Sequence, residues 1–145
     1  MLAMAYRHAY VARVAFGAKD AQTVKAFVEA ESYPGTSIII AYSPCIAHGY
    51  DLAFGLEQQK LAVDSAYWPL FRFDPRRAAA GGAALALDSG PPKIDLGQYV
   101  RNEARYRMVE QAHPDRFKEL LEAAQTEVRQ RYAMYSAMSG ERAVE

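Results

Sequence analysis

The segment Tyr10–Tyr42, YVARVAFGAKDAQTVKAFVEAESYPGTSIIIAY, carries the clearest structural pattern of this chain. It begins with Tyr10–Phe16, a β-branched, aromatic and mostly apolar stretch that predicts a buried strand. It ends with Ser37–Tyr42, a near-continuous apolar run bounded by turn residues. Such a run is typical of a central parallel strand covered on both faces. The segment therefore predicts two strands of one sheet.

A helix is predicted between these two strands. Asp20 is a good helix N-cap, and Pro34 and Gly35 should end the helix near Ser32. The apolar residues of this segment recur on one helical face: Ala21, Val24, Phe27 and Val28. The result is a parallel strand–helix–strand unit, whose crossover we expect to be right-handed.

The remaining sequence predicts shorter strands followed by helices. The patterns indicate a helix at 47–65, short strands at 68–73 and 85–88, an exposed excursion at 78–84, and helices at 96–111 and 114–138. One apolar stripe marks the last helix: Phe117, Leu120, Leu121, Ala124, Val128, Tyr132 and Tyr135. We therefore predict an α/β domain over residues 1–93 and a helical C-terminal tail over residues 94–145 that packs on it.

Composition and charge exclude several classes of function. The 145 residues are 51% hydrophobic and 23% charged, which are ordinary values for a globular protein. Seventeen basic residues balance seventeen acidic ones, so we expect no nucleic-acid partner. No apolar run is long enough for a membrane span, and the single cysteine fits a reducing compartment. We therefore expect a soluble, cytoplasmic protein that binds no membrane.

The candidate site lies in two loops at one sheet edge. Ligands of parallel sheets bind beyond the carboxyl ends of the strands, where loops 17–19 and 43–49 should meet. The second loop carries Cys45, the only cysteine, and His48. A lone cysteine is more often a small buried apolar side chain than a reactive one, so this is the expected role of Cys45. For His48 we expect a hydrogen bond within the loop, because one Cys/His pair is too few ligands for a zinc site. Residue chemistry alone thus indicates a place for a site but no reaction.

Several long segments nevertheless resemble one enzyme family. They are Tyr10–Ala15, Glu29–Gly35, Ser37–Tyr42, Ser43–Gly49, Gly55–Ser65, Tyr67–Pro75, Leu87–Ser89 and Asn102–Tyr106. Together they resemble the C-terminal region of pyruvate:ferredoxin (or flavodoxin) oxidoreductase in its long single-chain form. The resemblance covers about residues 2–138.

The resemblance implies a fold, a reaction and partners. It implies the C-terminal part of a thiamine-diphosphate-binding fold in an enzyme that decarboxylates pyruvate with coenzyme A to acetyl-CoA and carbon dioxide. Electrons then pass through 4Fe–4S clusters to ferredoxin or flavodoxin. By resemblance, Cys45 is one ligand of the cluster nearest the thiamine, and the partners are the upstream domains and a second copy in a homodimer. No residue of this chain is implied in catalysis.

The sequence also departs from the family. The Gly-Asp-Gly motif for thiamine diphosphate and Mg²⁺ is absent, as is any Cys-x-x-Cys. Arg7 and Thr36 stand where glycine and proline are common in the family. We therefore expect this chain to be a fragment of the enzyme that is inactive alone. Two alternatives remain open: a non-enzymatic binding or assembly module that reuses the fold, and a metal or cluster shared by Cys45 of two copies.

Overall fold

A computed structural model describes residues 1–140. Within this range the strands form one sheet in the order β2-β1-β3-β4. The strands are β1 (Ala9–Val14), β2 (Thr36–Ala41), β3 (Phe71–Phe73) and β4 (Leu85–Leu87). The helices are α1 (Leu2–Ala5), α2 (Asp20–Glu31), α3 (Gly55–Asp64), α4 (Pro75–Ala79), α5 (Leu96–Val100), α6 (Ala104–Ala112) and α7 (Pro114–Met138). Two 3₁₀ turns, Ile46–His48 and Leu52–Phe54, precede α3.

The predicted strand–helix–strand unit is confirmed. β1 and β2 are parallel, with Ala9 opposite Thr36 and Val14 opposite Ala41, and α2 connects them. β3 and β4 add to the other side of β1 as antiparallel strands. The fold is therefore mixed α/β with one parallel pair and a helical tail, as the sequence predicts.

The prediction that the Ser37–Tyr42 strand is central was wrong. β1 is the buried inner strand, and β2 pairs with no strand besides β1 within residues 1–140. Ile38 and Ile40 are 38% and 42% exposed. An apolar run indicates only that a strand can be covered, whereas its neighbours determine whether it is.

Helix α2 also presents its apolar face outward. Val24, Phe27 and Val28 are 56–63% exposed, while Gln22 and Thr23 are buried. Ala26 is buried on the same side of the helix, where Gln22 donates from Nε2 to Asp88 Oδ2 at 2.9 Å. The prediction of Asp20 as the N-cap was wrong by one residue, because Lys19 is the N-cap and Asp20 is the first helical residue. This difference is within the usual uncertainty of helix ends.

Two predicted helices are shorter than expected. The 47–65 prediction reduces to α3, which begins at Gly55 after the two 3₁₀ turns. Gly49 interrupts the helical path with a left-handed φ of +73°, and the Asp51 carboxylate caps the second turn. The 96–111 helix divides into α5 and α6 because Glu103 adopts an extended backbone between them. The excursion at 78–84 begins as the end of α4.

The core joins the sheet to the helical tail. Tyr135 of α7 packs its ring 5.0 Å from Phe71 of β3, measured between centroids. A second cluster joins α3, α5 and α7 through Ala62, Tyr99 and Phe117. These contacts agree with a tail that packs on the α/β part. The boundary between residues 93 and 94 stays a prediction, and residues 141–145 of the predicted tail lie outside the described residues.

In the part of the chain that the structure describes, no helix combines the length and hydropathy that a membrane-crossing segment needs.

Candidate functional site

The two loops of the predicted site lie at the same sheet edge. Because β1 and β2 are parallel, both end there, and Tyr42 N–H still donates to Val14 O at 2.9 Å beyond the last register pair. The loop after β1 is fixed against α3, since Gly17 N–H donates to Gln59 Oε1 at 3.0 Å. A Cβ on Gly17 would lie 2.7 Å from the Leu56 Cα, so this approach requires glycine.

Cys45 is exposed, contrary to the buried role that a lone cysteine favours. Its backbone is extended, with φ −142° and ψ 136°, and it is the N-cap residue of the Ile46–His48 turn. The Cys45 carbonyl accepts a hydrogen bond from the His48 N–H at 3.0 Å. The following residue, Ile46, is 81% exposed. The thiol therefore lies where a group outside this chain can reach it.

The described residues do not supply Cys45 with a set of metal-binding partners. Within residues 1–140 no group of three or more His, Cys, Asp or Glu side chains could hold a metal ion. An iron–sulfur cluster is held by cysteine thiolates, usually four. The donor set therefore fits one terminal ligand of a cluster whose other ligands come from elsewhere, and does not fit a complete cluster.

His48 does not make the predicted side-chain hydrogen bond through Nδ1. That atom is buried and has no hydrogen-bond partner among the described residues. The nearest carboxylate oxygen paired with it is Glu103 Oε1, at 3.8 Å. This separation is too long for a hydrogen bond but close enough for electrostatic attraction when the imidazole is protonated.

Glu103 is the site residue that sequence analysis missed. It is 0% exposed, and its carboxylate accepts hydrogen bonds from Arg105 Nε at 2.6 Å and Gln58 Nε2 at 3.0 Å. Gln58 in turn accepts from Asn102 Nδ2 at 3.1 Å. Only the resemblance over Asn102–Tyr106 pointed to this segment, because a single glutamate before a helix carries no signal of burial.

Two tyrosines, Tyr42 and Tyr50, flank the loop of residues 43–49, which we call the cysteine loop. Tyr42 and Tyr99 share a hydrogen bond of 3.1 Å, and burial raises the pKa of Tyr42 to about 12. Burial also raises the pKa of Tyr50, as do the nearby charges of Glu103 and Cys45. These phenols therefore stay neutral near pH 7. The exposed Cys45 thiol is a donor suited to a soft metal, and the buried pair of Glu103 and Arg105 lies next to His48 of the same loop.

Large apolar side chains are exposed on α2, on β2 and on the segments that follow β1 and β2. We call them the outer apolar face: Phe16, Val24, Phe27, Val28, Ile38, Ile40, Ile46, Phe54 and Leu56. Three of them lie on α2, two on β2 and Leu56 on α3, and the others lie in the connecting loops and 3₁₀ turns. Extended apolar surface of this kind marks contact with another protein surface.

Comparisons with known proteins identify relatives. No protein-family model matches the chain. It is 54% identical over 139 residues to a pyruvate-flavodoxin oxidoreductase of Rhodospirillum rubrum, and 48% identical over 139 residues to one of Trichormus variabilis. It is 36% identical over 139 residues to the pyruvate:ferredoxin oxidoreductase of Moorella thermoacetica. Each match covers 96% of this chain and 12% of the relative.

The matches cover only a small part of each relative. It spans about 12% of the length of the curated relatives it matches. Identity of 45–54% over 96% of the chain is far above chance. The region that the chain matches lies at the C-terminal end of the relatives. The chain is therefore homologous to the C-terminal region of the pyruvate-flavodoxin oxidoreductases.

Proposed function

We propose that this chain is the C-terminal part of an enzyme that decarboxylates pyruvate with coenzyme A and passes the electrons to flavodoxin or ferredoxin. Its role is to complete the fold that surrounds the thiamine diphosphate and to supply Cys45 as one ligand of a 4Fe–4S cluster. The observation that carries the proposal is the 54% identity to a pyruvate-flavodoxin oxidoreductase, with an exposed thiol at the sheet's ligand edge.

The outer apolar face supports the scaffold role. Phe27 and Val28 on α2 are 56% and 63% exposed, and Ile40 on β2 is 42% exposed. Burying apolar surface stabilises by about 25 cal/mol per Å², so these side chains favour a cover from upstream domains or a second protomer. In a free-standing binding module these side chains would stay exposed to water, which favours the enzyme over that alternative.

The cysteine loop supports the ligand role. When bound, a 4Fe–4S cluster would supply one-electron transfer toward the acceptor protein. The chain's own contribution is the Cys45 thiolate at an extended, exposed position. A cluster held by ligands from two parts of the enzyme would also lock their relative position.

The test is a substitution in the full-length enzyme that contains this sequence. We expect Cys45→Ala to lose the iron and sulfide of about one cluster and most pyruvate-dependent reduction of flavodoxin and ferredoxin. Ser43→Ala is the matched control, because Ser43 lies in the same loop and its hydroxyl bonds only the neighbouring Pro44 carbonyl, at 3.4 Å. Unchanged iron content and reduction rate in Cys45→Ala would contradict the ligand role.

A second measurement tests the dependence on other parts of the enzyme. We expect the purified 145-residue chain neither to bind thiamine diphosphate with Mg²⁺ nor to turn over pyruvate. Calorimetric titration with thiamine diphosphate and an assay of carbon dioxide release are the direct measurements. Turnover by the isolated chain would refute the proposal that it is only one part of the active enzyme.

A further inference from the structure

A buried carboxylate lies directly behind the cysteine loop. Glu103 is fully buried, and an ionised carboxylate is costly to bury unless it is paired and hydrogen-bonded. Arg105 and Gln58 provide that compensation through bonds of 2.6 and 3.0 Å. Well-packed apolar residues often replace such buried pairs at no loss of stability. Stability alone therefore gives no reason for a carboxylate at this position.

The cysteine loop is attached to the chain beside this carboxylate. Ala104 N–H donates to Gly49 O at 3.0 Å. A Cβ on Gly49 would lie only 2.4 Å from the Ala104 Cβ, so the two backbones are in close contact. The end of the loop is therefore held against the first residue of α6, one position after Glu103.

His48 connects the carboxylate to Cys45. Its Nδ1 is a buried polar atom without a hydrogen-bond partner in the described part of the chain, and Glu103 Oε1 lies 3.8 Å away. A buried polar atom left unpaired is costly, and a shift of under about 1 Å would bring this pair into hydrogen-bond range. The His48 N–H already donates to the Cys45 carbonyl at 3.0 Å, so a fixed imidazole fixes the turn that begins at Cys45.

We propose that Glu103 is a positioning residue for Cys45. Its carboxylate accepts a hydrogen bond from His48 Nδ1–H when Cys45 is coordinated, which holds the Ile46–His48 turn and the direction of the thiolate. Glu103 itself does not touch the metal centre. This inference rests on the proposed ligand role of Cys45. Residues that orient a metal ligand in this way typically change metal affinity about 10- to 100-fold when removed.

The experiment uses the full-length enzyme and measures iron release to a ferrous chelator. The relevant iron is the fraction that Cys45→Ala lacks. We expect Glu103→Gln to release this fraction about 10- to 100-fold faster than the unsubstituted enzyme. Glu110→Gln is the matched control, because Glu110 accepts from Arg101 Nε at 2.8 Å on α6 but is partly exposed and away from the loop. Glu110→Gln should leave the release rate unchanged.

A second pair of variants separates positioning from folding. Glu103→Gln also weakens the Arg105 and Gln58 contacts, whereas His48→Leu leaves both in place. We expect His48→Leu to release the same iron as fast as Glu103→Gln, with unchanged hydrogen exchange in α3. His48→Asn keeps an N–H donor near the Nδ1 position and should restore slow release. Fast release in His48→Asn, or slow release in His48→Leu, overturns the positioning role.

The outcomes distinguish this inference from the proposed function. If Cys45→Ala loses iron while Glu103→Gln and His48→Leu release it at the unsubstituted rate, the positioning role is overturned and the ligand role stands. If Cys45→Ala retains all its iron, the ligand role is overturned and the positioning role with it. Faster release in Glu103→Gln and His48→Leu, but not in Glu110→Gln or His48→Asn, supports both.

Discussion

Substitution of Gly49 by alanine tests how tightly the cysteine loop is held. Gly49 has φ +73°, where a residue with a Cβ costs about 1–2 kcal/mol. The added Cβ would also lie 2.4 Å from the Ala104 Cβ, and forced overpacking costs about 1–3 kcal/mol. We therefore expect the Gly49–Ala104 contact to weaken by about 2–5 kcal/mol.

Hydrogen exchange of the loop amides measures this loss. The His48 and Gly49 N–H groups bond to Cys45 and Ile46 carbonyls, so their protection reports local opening of the turn. A loss of 2 kcal/mol corresponds to roughly 30-fold faster exchange, and larger losses remove protection altogether. Mass spectrometry of peptides that cover residues 43–50 gives the rates in the full-length enzyme.

Gly81 provides the matched control. It has a similar φ of +84°, but a Cβ there would meet nothing within 4 Å. Gly81→Ala should therefore lose only about 1–2 kcal/mol of local stability, which is the cost of the left-handed backbone. Ala104→Gly in the Gly49→Ala background should recover the part due to overlap. Equal losses at the two glycines, or no recovery in the double variant, would refute the close-contact reasoning.

Three further predictions concern other parts of the chain. Arg72 donates to Asp88 from Nε and Nη2, each at 2.8 Å, and pairs with Glu29. Arg72→Ala should therefore lower the free energy of unfolding, measured by urea denaturation, by about 3–5 kcal/mol. A change below about 1 kcal/mol would show that the pairs contribute little. Burial raises the folded pKa of Tyr42 from 10.0 to about 12, so the free energy of unfolding should fall as the pH rises from about 10 to about 12. Tyr42→Phe should remove that part of the fall when the free energy of unfolding is measured against pH. On the outer apolar face, Phe27→Ser should reduce self-association of the isolated chain in analytical ultracentrifugation, whereas Lys25→Ser on the same helix should not; equal association in both variants would argue against contact through this face.

Local pattern was sufficient where a single segment carries the information. The β1–α2–β2 order follows from two apolar runs separated by a capped helix, and the structure reproduces it. The last helix follows from Pro114 and one apolar stripe, and it spans Pro114–Met138 as predicted. That loops 17–19 and 43–49 lie at one edge of the sheet follows from the parallel pairing of β1 and β2 alone.

Local pattern failed where burial depends on a distant segment. Val24, Phe27 and Val28 form the apolar face of α2 in sequence, yet they lie outward, while Gln22 on the inner face bonds Asp88, 66 positions along the chain. Periodicity reports which side chains share a face but not which surface covers that face. The same limit explains β2, whose apolar run was interpreted as central although the strand lies beside β1 alone among the described residues.

Local sequence patterns predict the order of the elements and the edge of the sheet at which both loops lie, and long matching segments indicate the relatives of the chain. The exposure of Cys45 and the burial of Glu103 behind it become visible only in the folded chain. The physical reason is that both facts arise from contacts across the chain: Gln58 reaches Glu103 from α3, and Ala104 closes on Gly49. Burial and ligand geometry belong to such long-range contacts, and no single stretch of sequence encodes them.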